Sequence, residues 1–197
     1  YPYSGFGFGI NFIGRDYGNA VRNYASINTL MEASSSSSGG GDAGFKAGLS
    51  FYTNGGGASG TNPEERMRID SSGNLLVGKT SANTSAVGVE ARENGLLVAT
   101  RDGGQPLLVD RLTDDGDLVL FRKDSADVGS ASTLGGDFIV GSSSGSGAAF
   151  RMDGTNNQIY PSNATGSARD NAVNLGASTV RWKDLYLSGG AYLGGTG

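Results

Sequence analysis

Glu65-Arg66-Met67-Arg68-Ile69-Asp70-Ser71-Ser72-Gly73-Asn74-Leu75-Leu76-Val77-Gly78 reads as a strand, a turn and a second strand. Met67 and Ile69 alternate with the charges of Arg66, Arg68 and Asp70, the period of two expected of a strand with one apolar face. Ser72-Gly73 is a turn dipeptide, because Gly accepts a positive φ without steric cost. Leu75-Leu76-Val77 then resumes an apolar strand. The same punctuation recurs down the chain. Gly95 leads Leu96-Leu97-Val98, Gly116 leads Asp117-Leu118-Val119-Leu120-Phe121, and Gly136 leads Asp137-Phe138-Ile139-Val140. The steps from Gly73 through these glycines are 22, 21 and 20 residues. Asn94-Gly95, Asp102-Gly103 and Asp115-Gly116 are further turn dipeptides. A strand-and-turn unit repeated about every 20 residues stacks, because no single unit buries its apolar face alone.

Outward from this repeat, the chain continues to read as β. Phe6, Phe8 and Ile10 alternate with Gly5, Gly7 and Gly9, a strand whose second face is bare backbone open to close approach by another chain. Phe45, Leu49, Phe51 and Tyr52 open a strand that Thr53-Asn54-Gly55-Gly56-Gly57 ends. Val21 to Ala33 carries two patterns. Val21, Tyr24, Ala25 and Met31 make a partial helical stripe, while Ala25, Ile27, Thr29 and Met31 alternate. The scarcity of helix elsewhere favours the strand. Ser34 to Gly41 and Ser142 to Gly147 are Ser/Gly loops. The expected class is all-β with almost no helix. Three regions are expected: a Gly- and aromatic-rich stretch at 1–62, a repeated strand-turn segment at 63–160, and a closing β block at 161–197 leading into a linker.

Composition narrows the function. The chain has 35 glycines in 197 residues, against a usual ~7 %. Leu, Ile, Val and Phe supply only about a fifth of it, at the edge where a solitary globule fails to bury enough apolar surface. The net charge is only −4, so charge-driven expansion is not indicated. Such a chain is expected to share its core with copies of itself. With no His and no Cys, Ser-His-Asp and Cys-His catalysis, His/Cys zinc sites and disulfides are excluded. A pI near 4.8 argues against nucleic acid as a partner. No run approaches the ~18 apolar residues of a membrane span. The Tyr1-Pro2-Tyr3 start, without Met or a leader pattern, is expected of a fragment or processed product, and Gly194-Gly195-Thr196-Gly197 of a linker. The sequons at Asn83 and Asn163 read as chance in a chain rich in Asn, Ser and Thr.

Short motifs carry little. Gly39/Gly41/Gly44 and Gly55/Gly57/Gly60 match a dinucleotide fingerprint without opening a helix. Gly141-Ser142-Ser143-Ser144-Gly145 matches a nucleophile elbow but has no His to act as base. Asp114-Asp115-Gly116-Asp117 lacks the spaced ligands of a Ca²⁺ loop and reads as a turn. Glu64-Glu65, Glu90 with Glu93, and Asp114-Asp115 are the visible carboxylate clusters for glycosidase-type chemistry. Against that stands their ordinary use in decorating turns and guarding strand edges. Tyr1, Tyr3, Phe6, Phe8, Phe12, Tyr17 and Tyr24 crowd the start of the chain, where interchain packing is favoured over sugar stacking. No catalytic, cofactor-binding or metal-binding residue is assigned, no cofactor is expected, and the receptor-binding residues are left unassigned. Trp182, with Tyr186 on one face of a strand and Leu185 and Leu187 on the other, is expected to form an interchain plug.

Three blocks resemble one family. Glu65 to Gly78, quoted above, is similar to a module of the tail fibres of tailed bacteriophages, especially those of marine and freshwater bacteria. Phe121-Arg122-Lys123-Asp124 through Val128-Gly129-Ser130 resembles a second block of these fibres. Arg169-Asp170-Asn171-Ala172-Val173-Asn174-Leu175-Gly176, followed by Val180-Arg181-Trp182-Lys183-Asp184-Leu185-Tyr186-Leu187-Ser188-Gly189-Gly190, resembles their closing block. The resemblance covers 45–197 well and 1–44 more loosely. The stacked repeat is expected to be elongated, and the resemblance implies a fibrous, homotrimeric structural protein of the virion tail. Some members of the family carry depolymerase domains, but no motif here carries over as a catalytic site, and no enzymatic activity is expected. Its implied partners are two further copies, other tail proteins and a bacterial surface glycan or protein. A polysaccharide depolymerase and a bacterial trimeric adhesin are the alternatives.

Overall fold

The computed structural model describes residues 8–34, 45–56, 62–143 and 146–194. The chain divides into two compact units, Tyr1–Leu108 and Val109–Gly197. Each is built on one antiparallel meander, and no helix occurs among the described residues. The first unit holds seven strands in chain order: β1 (Gly9–Arg15), β2 (Val21–Ser34), β3 (Phe45–Thr53), β4 (Glu64–Ile69), β5 (Leu75–Val77), β6 (Gly88–Ala91) and β7 (Leu97–Thr100). The second holds five: β8 (Gly116–Lys123), β9 (Ala126–Leu134), β10 (Asp137–Gly141), β11 (Ala149–Asp153) and β12 (Gln158–Ser162). The all-β reading therefore holds. Val21–Ser34 is a strand, as its alternation favoured. The division at 108/109 differs from the expected regions, because the first sheet draws strands from both sides of residue 62.

The predicted glycines sit where strands begin. Gly73, Gly95, Gly116 and Gly136 all take positive φ, from 82° to 144°. Gly73 and Gly95 belong to a loop that recurs four times. In each, the fourth residue donates its N–H to the first residue's carbonyl, and the first donates its own to the fifth. The loops are Asp16–Ala20, Asp70–Asn74, Arg92–Leu96 and Asn163–Ser167. Their fourth residue is left-handed: Asn19, Gly73, Gly95 and Gly166. Asp16, Asp70 and Asn163 also accept backbone N–H groups within their own loops, which fixes the turn chemically. Gly135-Gly136 and Asp124-Ser125 make two-residue hairpins with positive φ at both positions.

Little apolar matter is fully enclosed. Among the described residues only Leu76, Ile139 and Ala149 are buried apolar side chains. Apart from Gly166, the other buried residues among those described are polar or charged: Ser26, Ser50, Lys79, Glu90, Ser130, Ser132, Asp137 and Ser162.

Candidate functional site: two open apolar sheet faces

Residues paired across antiparallel strands point to the same side of a sheet, so register sorts the faces. In the first sheet one row runs Ile10, Ile27, Phe51, Met67, Val77, Val89 and Ala99 through all seven strands. A second row beside it runs Thr29, Leu49, Ile69, Leu75, Ala91 and Leu97. None of these side chains is buried, and Leu97 is 71 % exposed. The second sheet repeats the arrangement. Val119, Ala131, Val140, Phe150 and Pro161 form one row, and Thr133, Phe138, Met152 and Ile159 another. Phe138, Val140, Phe150, Met152 and Ile159 are exposed.

The opposite faces are polar, and these are the faces that their own chain covers. Glu90 lies opposite Leu76 and accepts from Arg92, at 2.7 Å, and from the backbone N–H of Asn83. Lys79 lies 3.4 Å from Glu90 and donates to the carbonyls of Asn83 and Ala86. Burial pushes the Glu90 carboxyl up, but the hydrogen bonds and charges of Arg92 and Lys79 outweigh it and hold it below its ordinary value. Glu65 and Arg68 pair on the polar face because a bulge at Arg66 makes up the odd spacing, and Tyr52 donates to the same carboxylate. In the second unit Asp137 pairs with Arg151 at 2.6 Å. Arg151 also donates to the Gly166 carbonyl, holding the Asn163–Ser167 loop against Ile139.

The buried residues of both sheets thus lie on their polar sides, and the apolar sides are open. For a monomer in water this is inverted, since the hydrophobic effect drives apolar surface inward. The edges of the second sheet are guarded. Pro161 interrupts the donors of edge strand β12, and edge strand β8 carries two register shifts with Arg122 and Lys123 at its end. Its open surface is therefore a face and not an edge.

Of the residues weighed for chemistry the glutamates do not converge, whereas Asp115, Asp117 and Ser143 border one cleft of the second unit. Glu64 pairs with Arg66, Glu65 with Arg68, and Glu90 with Lys79 and Arg92, while Glu93 is exposed in a turn. Asp115 accepts from the Gly135 N–H. No group of three or more carboxylates among the described residues is placed to hold a metal ion. Gly39/Gly41/Gly44, Gly57, Gly60, Ser144 and Gly145 lie outside the described residues, as do Tyr1, Tyr3 and Phe6. The strand expected around Trp182 is not formed: 181–187 has no ladder partner, and Trp182 is 70 % exposed. A short apolar run lacks a strand where no neighbouring segment offers it a ladder. Among the described residues no helix is long and apolar enough to cross a membrane. No known protein family, curated protein or solved structure matches the chain.

Proposed function

We propose that the chain is a structural virion protein, a segment of a bacteriophage tail fibre that assembles as a parallel homotrimer and serves attachment to the host surface. The observation that supports it is the pair of open apolar faces, each backed by a polar face that holds the buried residues. Around a threefold axis each exposed row meets its counterparts, and apolar surface that a lone chain leaves in water becomes a shared core. The guarded edges of the second sheet favour association through faces. The resemblance of Glu65–Gly78 and of 169–190 to tail-fibre blocks gives this assembly its context, the tail of a virion. The non-enzymatic role proposed here agrees with Glu64, Glu65 and Glu90, each of which is tied to a cation.

The test is native mass and light scattering at micromolar concentration. A trimer is expected, and a well-folded monomer overturns the proposal. Incubation with host surface polysaccharide separates attachment from depolymerisation: an attachment protein leaves chain length unchanged.

A further inference from the structure

The side of the five-stranded sheet opposite its apolar rows carries a cleft of about 360 Å³. Asp115, Asp117, Ser130, Ser132, Leu120 and Leu134 line it. Ser132 is only 4 % exposed, and its Oγ has no hydrogen-bond partner among the described residues. An unpaired buried hydroxyl is unfavourable in itself, and here it borders a space large enough for a ligand that would satisfy it. Asp117 sits directly across from Ser132 in the β8–β9 ladder and is exposed. Asp115 gives one carboxylate oxygen to the Gly135 N–H and keeps the other. A third carboxylate at the rim, Asp127, is taken by Arg122 at 2.8 Å.

We infer that this cleft binds an uncharged polyhydroxylated molecule of the saccharide class. Its volume lies at the lower end of small-ligand pockets. No Lys or Arg lines it, so an anion meets only carboxylates. A bare divalent ion needs six or more oxygens at about 2.3–2.6 Å; Asp115, Asp117 and Asp127 all border the cleft, but they are not grouped closely enough to hold one ion, and Asp127 is already paired with Arg122. Sugar hydroxyls donate to the Asp117 and Asp115 carboxylates and accept from the Ser132 hydroxyl, while Leu120 and Leu134 offer a surface for the C–H face of a ring. Ser130 and Ser132 alternate along β9 with Ala131, which belongs to the apolar face, so their side chains meet the cleft on the opposite side, and Thr133 lines it as well. The site deepens the attachment reading and rests on it for its outward placement in an assembly; the binding itself is measurable whatever the assembly.

The test is saturation-transfer NMR with calorimetry on the full chain. The probes are glucose, galactose, mannose, N-acetylglucosamine and lactose, with calcium chloride and spermidine as ionic comparators. At least one sugar is expected to bind, with affinity falling about tenfold in Asp117→Asn and in Ser132→Ala, as expected for loss of one good hydrogen bond. Asp124→Asn, outside the cleft, leaves it unchanged. Ser132→Ala also keeps or raises the thermal midpoint, because it deletes an unpaired hydroxyl, so a loss of binding in this variant is not a loss of fold. Binding of none of the five sugars overturns the inference, as does wild-type affinity in both variants, or binding of calcium or spermidine alone. Should Asp117→Asn fail to fold, Ser132→Ala carries the test. Native mass in the same samples separates the two readings: a trimer that binds no sugar removes the cleft alone, and a monomer that binds sugar removes the assembly alone.

Discussion

Lys79 Nζ lies 3.4 Å from Glu90 Oε2, and both side chains are closed off from solvent. The pair pins the segment between β5 and β6 to the polar face, since Lys79 also holds the carbonyls of Asn83 and Ala86 and Glu90 the N–H of Asn83. Breaking a buried pair from one side leaves the other charge poorly compensated. Lys79→Met should therefore lower the urea midpoint clearly. Lys123→Met, at an exposed pair with Asp124, should change stability by no more than about 0.5 kcal/mol. Equal effects of the two would contradict the role given to the buried pair.

Acid should destabilise the fold. Asp16, Asp70, Glu90 and Asp153 all titrate below their ordinary values. At Asp70 burial pushes upward and is outweighed by hydrogen bonds from Asn74 and Ser72; at Asp153 the side chain of Asn156 leads the lowering. A carboxylate lowered in the folded state adds stability above its unfolded pKa and loses it as pH falls through the folded one. The urea midpoint should thus be level from about pH 5 to 7 and fall below about pH 4. A midpoint that rises on acidification sinks this account.

Gly166 tests the cover over Ile139. Its φ is +85°, and a Cβ there would lie 2.4 Å from Ile139 Cδ1 and 2.8 Å from Leu134 Cδ2. Gly166→Ala should cost at least about 1–3 kcal/mol in backbone strain, with the clash added. Gly135→Asn meets open space at φ +61°, a conformation Asn tolerates, and should be nearly neutral. Denaturant melts of the two variants give the comparison.

Much of the first sheet was legible because its signals are local. Met67 and Ile69 alternate with charge, and Gly73 and Gly95 mark loops whose bonding needs a left-handed fourth residue. Asn19 performs the same task without announcing itself as Gly does. Strand β9, Ala126–Leu134, lacked a signal: Gly129, Ser130, Ala131 and Ser132 are poor strand formers, placed there by β8 and β10 on either side. The buried Lys79–Glu90 pair was equally silent, since nothing in the spacing of these residues shows that the intervening loop folds back. The cleft at Ser132 depends on residues brought together from separate segments, which periodicity cannot place.

Phe150 and Met67 separate a lone chain from an assembled one. Both point into the open apolar rows, Phe150 at 49 % exposure. In an isolated chain Phe150→Asp or Met67→Asp replaces apolar surface that already meets water, and the fold should tolerate it. In a trimer the same change puts three carboxylates into a shared core, where unpaired charge is strongly unfavourable. Native mass should shift from trimer to monomer at micromolar concentration while the β signature in circular dichroism persists. Retention of the wild-type mass in both variants removes these faces from the interface.

Trp182 gives the last test. The indole is 70 % exposed in the single chain, and Leu185, Tyr186 and Leu187 beside it are also exposed. This density of large apolar groups is unfavourable in water and suits a segment that other copies cover. Arg181, Lys183 and Asp184 are long or short polar neighbours whose surface pairs contribute about 0–1 kcal/mol each. Lys183 and Asp184 already face each other at 3.4 Å with Lys183 almost fully exposed. The apolar residues should therefore dominate. Truncating a buried Trp to Ala costs about 3–5 kcal/mol, and a threefold assembly meets that loss in every chain. Trp182→Ala should lower the thermal midpoint of the trimer far more than Arg181→Ala. Fluorescence gives an independent reading, because Trp182 is the single Trp of the sequence. In an assembled trimer its emission should be blue-shifted and shielded from iodide or acrylamide. A red-shifted, readily quenched indole in a sample of trimeric mass would show the ring still facing water, and a role in gripping a surface sugar would then replace the plug.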